Sequence, residues 1–407
     1  MKIRRSLFID RELSDRERKN FAVLDTLRKK GPIARTEISK LTGFNIVTVS
    51  NYIDSYIREG LVSEEGYDTS TGGRKPMMVD LNRKSAYAVG VGFDMASVIG
   101  IVTDLKGEIV FQIRKKYRVE SGMALIEKLM ETTNEILDKC SVEKDKIKGI
   151  GLAVAGIIDN DNRTIRWPGL LGTQDTVVSA YLWDKFTEKF DIPIIIENDA
   201  DCAVFGEQWF TLTSEYKNVI YMYSGVACGI LINGQIFKGA SGCAGELGIL
   251  NPNILDKYDW RKESFGLGRW DMELGMLQNI KELQEKYSGS KIFKLANDKI
   301  EDITFITIIE AAAAKDELAI KLLTKAGEDF GKKVAFLANL FNPQVIVIGG
   351  GIEKAGSVLM DPLKKTVKEW TFEEVTRVLK IIPAQLSENA VPLGAASLVV
   401  KSFFEQM

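Results

Sequence analysis

Three helical stripes open the chain. Phe21, Leu24 and Leu27 recur at helical spacing within residues 17–30, with Ala22 and Val23 beside them. Gly31-Pro32 stops that helix. Ile33 to Leu41 reads as a short second helix with Ile38 and Leu41 on one face. Thr42-Gly43-Phe44-Asn45 is a tight turn in which Gly43 can take positive φ. Asn45 to Glu59 reads as a third helix, capped by Asn45, with Val49, Ile53 and Ile57 as its buried stripe. The pattern then turns extended. Leu61 to Glu65 reads as a strand, Gly66 to Lys75 as a polar loop, and Pro76 to Leu81 as the returning strand. Helix, glycine turn, helix and hairpin together make a winged helix-turn-helix.

From Ala86 the pattern changes again. Tyr87 to Phe93, Val98 to Thr103 and Ile109 to Ile113 read as a three-strand meander with a turn at Lys106-Gly107. A similar unit returns at Asn218 to Tyr223, Gly229 to Ile232 and Gln235 to Phe237, with a turn at Asn233-Gly234. α/β alternation follows each meander. After the first come a helix near Ala124–Lys139, a strand Gly149–Val154, a helix near Val177–Phe190 and a strand Ile194–Ile196. After the second come several helices and the buried strand Val345–Ile348. Two copies of meander-then-α/β predict two similar lobes with a cleft between them.

Charge separates the front from the body. Residues 1–85 hold 17 basic and 12 acidic side chains, and the remainder holds 37 and 44. A basic front on an acidic body points to an anionic partner for the front. On the third helix Thr48, Ser50, Asn51 and Tyr52 lie off the predicted stripe and can reach base edges and phosphates in a major groove. Arg35, at the second helix, joins this candidate interface with double-stranded DNA, as do Arg74 and Lys75 at the wing tip beside Gly72-Gly73.

Composition removes other chemistries. The chain has no histidine, which excludes imidazole acid–base catalysis, Ser-His-Asp triads and histidine-ligated zinc. Cys140, Cys202, Cys228 and Cys243 show no paired spacing, which suits a reducing cytosol. No apolar run approaches the roughly 18 residues that cross a bilayer. The basic start is followed at once by Asp10, Arg11 and Glu12, so no secretory leader is expected.

Several further segments come in a telling order: Thr71-Gly72-Gly73-Arg74-Lys75-Pro76; Gly149 to Gly156; Ile192-Pro193 through Glu197-Asn198-Asp199-Ala200 to Gly206-Glu207; Ala244-Gly245-Glu246-Leu247-Gly248; and Asn342-Pro343 with Gly349-Gly350-Gly351. With them the whole chain resembles a transcriptional regulator of the ROK family, which groups repressors with sugar kinases. The resemblance implies an α/β fold: a winged helix over residues 1–84, then a two-lobed, actin-like sugar-kinase ATPase fold. Its lobes would be residues 85–206 with 390–407, and residues 207–389.

The resemblance also implies a site. Asp199 matches the base that deprotonates the sugar in family kinases, and Asn198 and Glu246 match sugar-binding residues. Gly156 joins them as the fourth candidate ligand residue. A carboxylate and an amide close together suit hydroxyl-rich ligands. The departures argue against catalysis. The family's first phosphate loop reads Asp94-Met95-Ala96-Ser97 here, without its glycines. Side chains then stand where backbone N–H groups would approach phosphate. The second loop reads Tyr223 to Gly229 and is likewise depleted. The family's zinc ligands are replaced by Ile249 and by the thiol-free run Ser264 to Glu273, so no metal is expected. A sugar-contacting Asn is replaced by Gly169. Cys243 reads as a small buried residue, and Trp167, Trp260 and Trp270 as core or interface residues.

The expectation is a cytoplasmic homodimer or homotetramer without cofactor. It would bind an operator and sense a sugar or sugar derivative without phosphorylating it. Two alternatives are an active ATP-dependent sugar kinase that carries a winged helix, and a DNA-binding regulator whose body is a ligand-free dimerisation platform.

Overall fold

Helix α1 (Asp15–Lys30) starts two residues before the predicted 17 because Ser14 and Glu17 cap each other. The Glu17 amide donates to Ser14 Oγ at 3.3 Å and the Ser14 amide to Glu17 Oε2 at 2.8 Å. The structure is a computed structural model that describes residues 13–67, 76–93, 97–116, 122–159, 164–167, 176–178, 188–223, 227–247 and 276–407. Ile33–Ala34 forms strand β1, not the start of a helix, because it pairs with Val79 and Met78. Helix α2 (Arg35–Thr42) follows and closes on Gly43 at φ 73°. Its Ile38 is buried, but Leu41 is 55% exposed, contrary to the predicted shared face. Helix α3 (Ile46–Arg58) leads to β2 (Val62–Tyr67) and β3 (Met77–Leu81), and β1-β3-β2 is the sheet of a winged helix.

The body repeats one sheet twice. The first contains β4 (Tyr87–Phe93), β5 (Ser97–Asp104), β6 (Ile109–Lys116), β7 (Ile147–Val154) and β11 (Ile194–Asn198). A small sheet of β8 (Ile157–Asp159), β9 (Thr164–Trp167) and β10 (Thr176–Val178) lies beside it. Val177 therefore sits in a strand paired with Arg166, not in the predicted helix. The second large sheet contains β12 (Val219–Met222), β13 (Cys228–Ile232), β14 (Gln235–Ile236), β15 (Val345–Ile348) and β16 (Lys380–Pro383). Strand orders are β11-β7-β4-β5-β6 and β14-β13-β12-β15-β16. In both, the first meander strand is central, antiparallel to the second and parallel to the fourth. This is the internal repeat predicted from the alternation pattern.

Helix α4 (Gly122–Lys139) packs on the first sheet, and α5 (Asp199–Phe210) lies between the two sheets, against β12 and β13 of the second as well as β7 and β11 of the first. Around the second come α6 (Met276–Leu283), α7 (Lys291–Leu295), α8 (Phe305–Ala313), α9 (Glu317–Phe341), α10 (Ser357–Trp370) and α11 (Glu373–Val378). Helix α12 (Ala390–Gln406) then packs on β4, β7, α5 and α1. Its contacts are close enough to require glycine. A Cβ on Gly151 would overlap the Ala395 carbonyl, and one on Gly394 would overlap the Cys202 carbonyl.

The winged helix shares this core. One continuous apolar cluster runs from Val23, Leu27 and Ile53 through Ala203 and Trp209 to Val399 and Phe404. Polar ties flank it. Arg16 Nη2 donates to the Met407 carbonyl at 3.0 Å, and Lys106 Nζ reaches Asp80 at 2.6 Å and the Gly31 carbonyl at 3.2 Å.

Glu207 on α5 is fully buried. It accepts from the Gln385 and Leu386 amides at 2.8 and 2.9 Å and from the Thr211 hydroxyl at 2.6 Å. Burial outweighs these bonds and raises its carboxyl above the ordinary 4.5. The folded state therefore holds this proton more tightly than the unfolded chain. Stability from this group is full below 4.5 and is lost as pH rises through the folded value. Glu207→Gln keeps the shape and the acceptor. It is expected to raise the melting temperature at neutral pH and flatten its decline as pH rises above 4.5. A variant curve parallel to the parent's would contradict this.

Candidate functional site

Helix α3 is held from two sides. Asn45 Oδ1 accepts from the Val47 amide at 2.8 Å, the expected N-cap. Val49, Ile53 and Tyr56 form the buried stripe, and Ile57 is only half-buried. The Tyr56 hydroxyl donates to Asn20 Oδ1 at 2.8 Å and fixes α3 to α1. Asn51 is exposed, and Thr48 and Ser50 are half-exposed on the outer side. Tyr52 is half-buried against the core, 6.0 Å from the Tyr56 ring, so much of its surface is committed to packing. Arg35 pairs with Asp54 at 2.7 Å and Glu64 at 3.8 Å, which braces α2 against α3 and β2. Arg74 and Lys75 lie outside the described residues. The sequence reading missed an apolar rim at the helix-turn-helix corner: Leu41, Ile46 and Val47 are all exposed, Val47 by 63%. Ile46 and Val47 stand off the buried stripe, which was the available signal. Apolar groups there suit thymine methyls.

Three of the sugar-site candidates, Gly156, Asn198 and Asp199, meet where β11 turns into α5. Asn198 caps α5, with Oδ1 accepting from the Ala200 and Asp201 amides at 2.8 and 3.2 Å. Its Nδ2 donates to the Gly156 carbonyl at 3.0 Å. Asn198 and Gly156 are thus in direct contact. Gly156, at φ 120°, lets β7 turn there without strain. Asp199 is buried in the first turn of α5, and its Oδ1 accepts from the Ala200 amide at 2.9 Å. Glu246 arrives from the second lobe and is half-buried. It bridges to Ala227 by backbone pairing. Gly245 beside it adopts φ 90°, and a Cβ there would overlap the Cys228 carbonyl.

Beneath these residues lies an ion pair that the sequence reading missed. Glu197 accepts from the Asn198 amide at 2.9 Å, and Lys238 Nζ of the second lobe stands 2.8 Å from its other oxygen. Nothing local in the sequence links positions so far apart. Two of the buried cysteines are held as unreactive thiols. Burial, the larger cause, and nearby carboxylates push the Cys202 and Cys228 thiols up. Cys243 is exposed, contrary to the buried place expected of it. It lies on a loop whose turns present it to solvent. Among the described residues no three metal-ligating side chains converge. Ile249, the Ser264–Glu273 run, Gly169, Trp260, Trp270 and the loop residues Asp94, Met95 and Ala96 lie outside them.

A second cleft opens between the ends of β4 and β12. Tyr223 closes it by donating to the Phe93 carbonyl at 3.1 Å. The Gly350 amide donates to Tyr221 at 3.3 Å, and the Gly351 amide to Glu353 at 2.8 Å. Glu388 binds Arg114 and Lys354 at its rim. About 30 Å³ remains open there, room for about two waters.

Helix α5 leads away from the sugar-site candidates. At its far end Trp209 packs 5.3 Å from Phe205 and 6.1 Å from Phe21 of α1. The buried Arg28 lies 3.9 Å over the Trp209 ring and donates to the Trp209 carbonyl at 3.3 Å. The same helix thus begins in the cleft and ends against the winged helix.

The sequence profile of the ROK family matches residues 87–402. A xylose repressor of Caldicellulosiruptor bescii is 29% identical over 381 residues, covering 93% of this chain and 94% of that protein. The Escherichia coli DNA-binding transcriptional dual regulator NagC is 23% identical over 384 residues, covering 94% and 92%. Among solved structures, a ROK family transcriptional regulator homologous to E. coli MLC superposes with TM-score 0.70 at 19% identity, covering 96% of this chain and 97% of that one. A ROK family glucokinase from Streptomyces griseus, with glucose and AMPPNP, gives 0.63 at 22% identity, covering 77% and 99%.

Proposed function

The chain belongs to the ROK family, and from that membership we propose that it is a DNA-binding transcriptional repressor. Its body senses a sugar or sugar derivative and transfers no phosphate. The observation that carries this reading is coverage. The repressor relatives align over 93% of the chain, winged helix included, whereas the glucokinase fold accounts for 77%. The relatives named as xylose repressors make D-xylose the first sugar to try.

In this reading residues 1–84 bind the operator, and residues 85–206 with 390–407 and residues 207–389 are the two lobes. Thr48, Ser50 and Asn51 read the major groove beside the apolar rim, with Arg74 and Lys75 on the wing. Arg35 and Tyr52 hold α3 in position. Gly156, Asn198, Asp199 and Glu246 receive sugar hydroxyls. Tyr223, which reaches across the second cleft to the Phe93 carbonyl, leaves little room there for a polyphosphate, which supports a body without kinase activity or cofactor. Paired winged helices on a palindromic site imply a homodimer or homotetramer. A protein that works on DNA and keeps its four cysteines free is read as cytoplasmic. No described helix is long and apolar enough to cross a membrane.

Gel-shift titration with the DNA upstream of the gene and its neighbours tests the reading. Sequence-specific retardation is expected, relieved by D-xylose or by another sugar in a panel with D-glucose and N-acetylglucosamine. Asn51→Ala should weaken specific binding by about 5- to 150-fold. Asp199→Ala should keep operator affinity within about threefold and abolish relief by sugar. Absence of specific retardation, or transfer of phosphate from ATP to any of these sugars, would defeat the proposal.

A further inference from the structure

We infer that Lys238 is a positioning residue that assembles the sugar site from its two lobes. The inference rests on reading Gly156, Asn198, Asp199 and Glu246 as that site. Three of these residues come from the first lobe and one from the second. Something must set where Glu246 stands relative to the Asn198-Asp199 turn before any sugar arrives.

Lys238 stands where that task can be done. Its carbonyl accepts from the Ala244 amide at 3.1 Å and so closes the base of the loop that ends in Ala244-Gly245-Glu246. Its side chain leaves that loop for the other lobe and meets Glu197 at 2.8 Å. Glu197, its side chain 2% exposed, is in turn bonded to the Asn198 amide at 2.9 Å. One residue thereby connects the base of the Glu246 loop to the amide of the residue that caps α5. The loop also lies on the first lobe, since a Cβ on Gly242 would come within 3.1 Å of the Ile158 carbonyl.

The charges make the connection selective. An ion pair this far from water is poorly screened. Removing one partner leaves the other charged and buried, which costs more than the pair's net worth. The loop is thus favoured in the one place where the ammonium meets the carboxylate. Neither side chain need touch the sugar. They act through Glu246 and Asn198.

Two measurements on the full chain test this. The first needs no ligand: hydrogen–deuterium exchange of the unliganded protein. Lys238→Met should speed exchange by about tenfold at the amides of Ala244 to Glu246 and of Ala200 and Asp201, with the winged helix unchanged. Lys238→Arg, which restores a cation, should recover most of the protection. The second is calorimetric titration with D-xylose, D-glucose and N-acetylglucosamine, where Lys238→Met should lower affinity by about tenfold or more and Lys238→Arg should restore it. If Lys238→Met does not fold, Glu197→Gln keeps the bond to Asn198 and should loosen the same amides. Unchanged exchange in the folded variants overturns the inference. If the unaltered protein binds none of the sugars but exchange rises as described, the positioning role stands and the sugar reading falls.

Discussion

Gly394→Ala is expected to cost about 3 kcal/mol or more of folding stability, with a matching fall in the urea midpoint. The added methyl would overlap the Cys202 carbonyl, a backbone atom that has no rotamer to escape into. Helices α5 and α12 would have to separate. Both are buried along nearly their whole length, so separation opens voids on several sides at once. Gly289, which has open space around it, is the control, and Gly289→Ala should leave the midpoint nearly unchanged. An unchanged midpoint for Gly394→Ala would mean that the two helices do not cross at backbone contact.

Arg28→Met is expected to separate sensing from DNA binding. The substitution keeps the apolar stem of the side chain and removes the cation over Trp209. Asp25 keeps a partner, because Lys29 stands 2.7 Å away. Operator affinity should stay within about threefold, while the sugar's effect on that affinity should shrink by about tenfold or more, within the usual range of coupling between sites. The reason lies at the two ends of α5. A ligand hydroxyl would compete for the Asn198 Nδ2 hydrogen that now goes to the Gly156 carbonyl. The ligand therefore has a differential contact with which to displace the helix. Trp209 would carry that displacement to Arg28 and Phe21. Gel shifts with and without sugar decide the matter. A variant with the parent's full sugar response would show that the signal travels elsewhere.

Much of this architecture is legible in the sequence. Helical stripes, a glycine turn and a hairpin give the winged helix, and the repeated meander gives the two lobes. The glycines that carried the family resemblance prove to have local causes. Gly151 makes room for α12, and Gly245 for the Cys228 carbonyl. The errors have causes too. Spacing α3 as Val49, Ile53 and Ile57 overshoots the helix period: eight residues turn about 800°, some 80° past the starting face, while the seven to Tyr56 fall only about 20° short. Two-residue β1 is too short to show alternation, so Ile33 and Ala34 read as part of α2. The pairs Glu197–Lys238 and Arg28–Trp209 join distant stretches of chain, and no local pattern encodes them. Each is formed by the tertiary fold alone.

The shared core of α1 and α12 also sets a timetable. The winged helix leaves the ribosome first, and the helix that seats it comes from the far end of the sequence. At ordinary synthesis rates the interval is roughly twenty seconds to a minute. During it the apolar face of α1 that α12 will cover has no partner. A chain interrupted before Ala390 would keep that face bare for good.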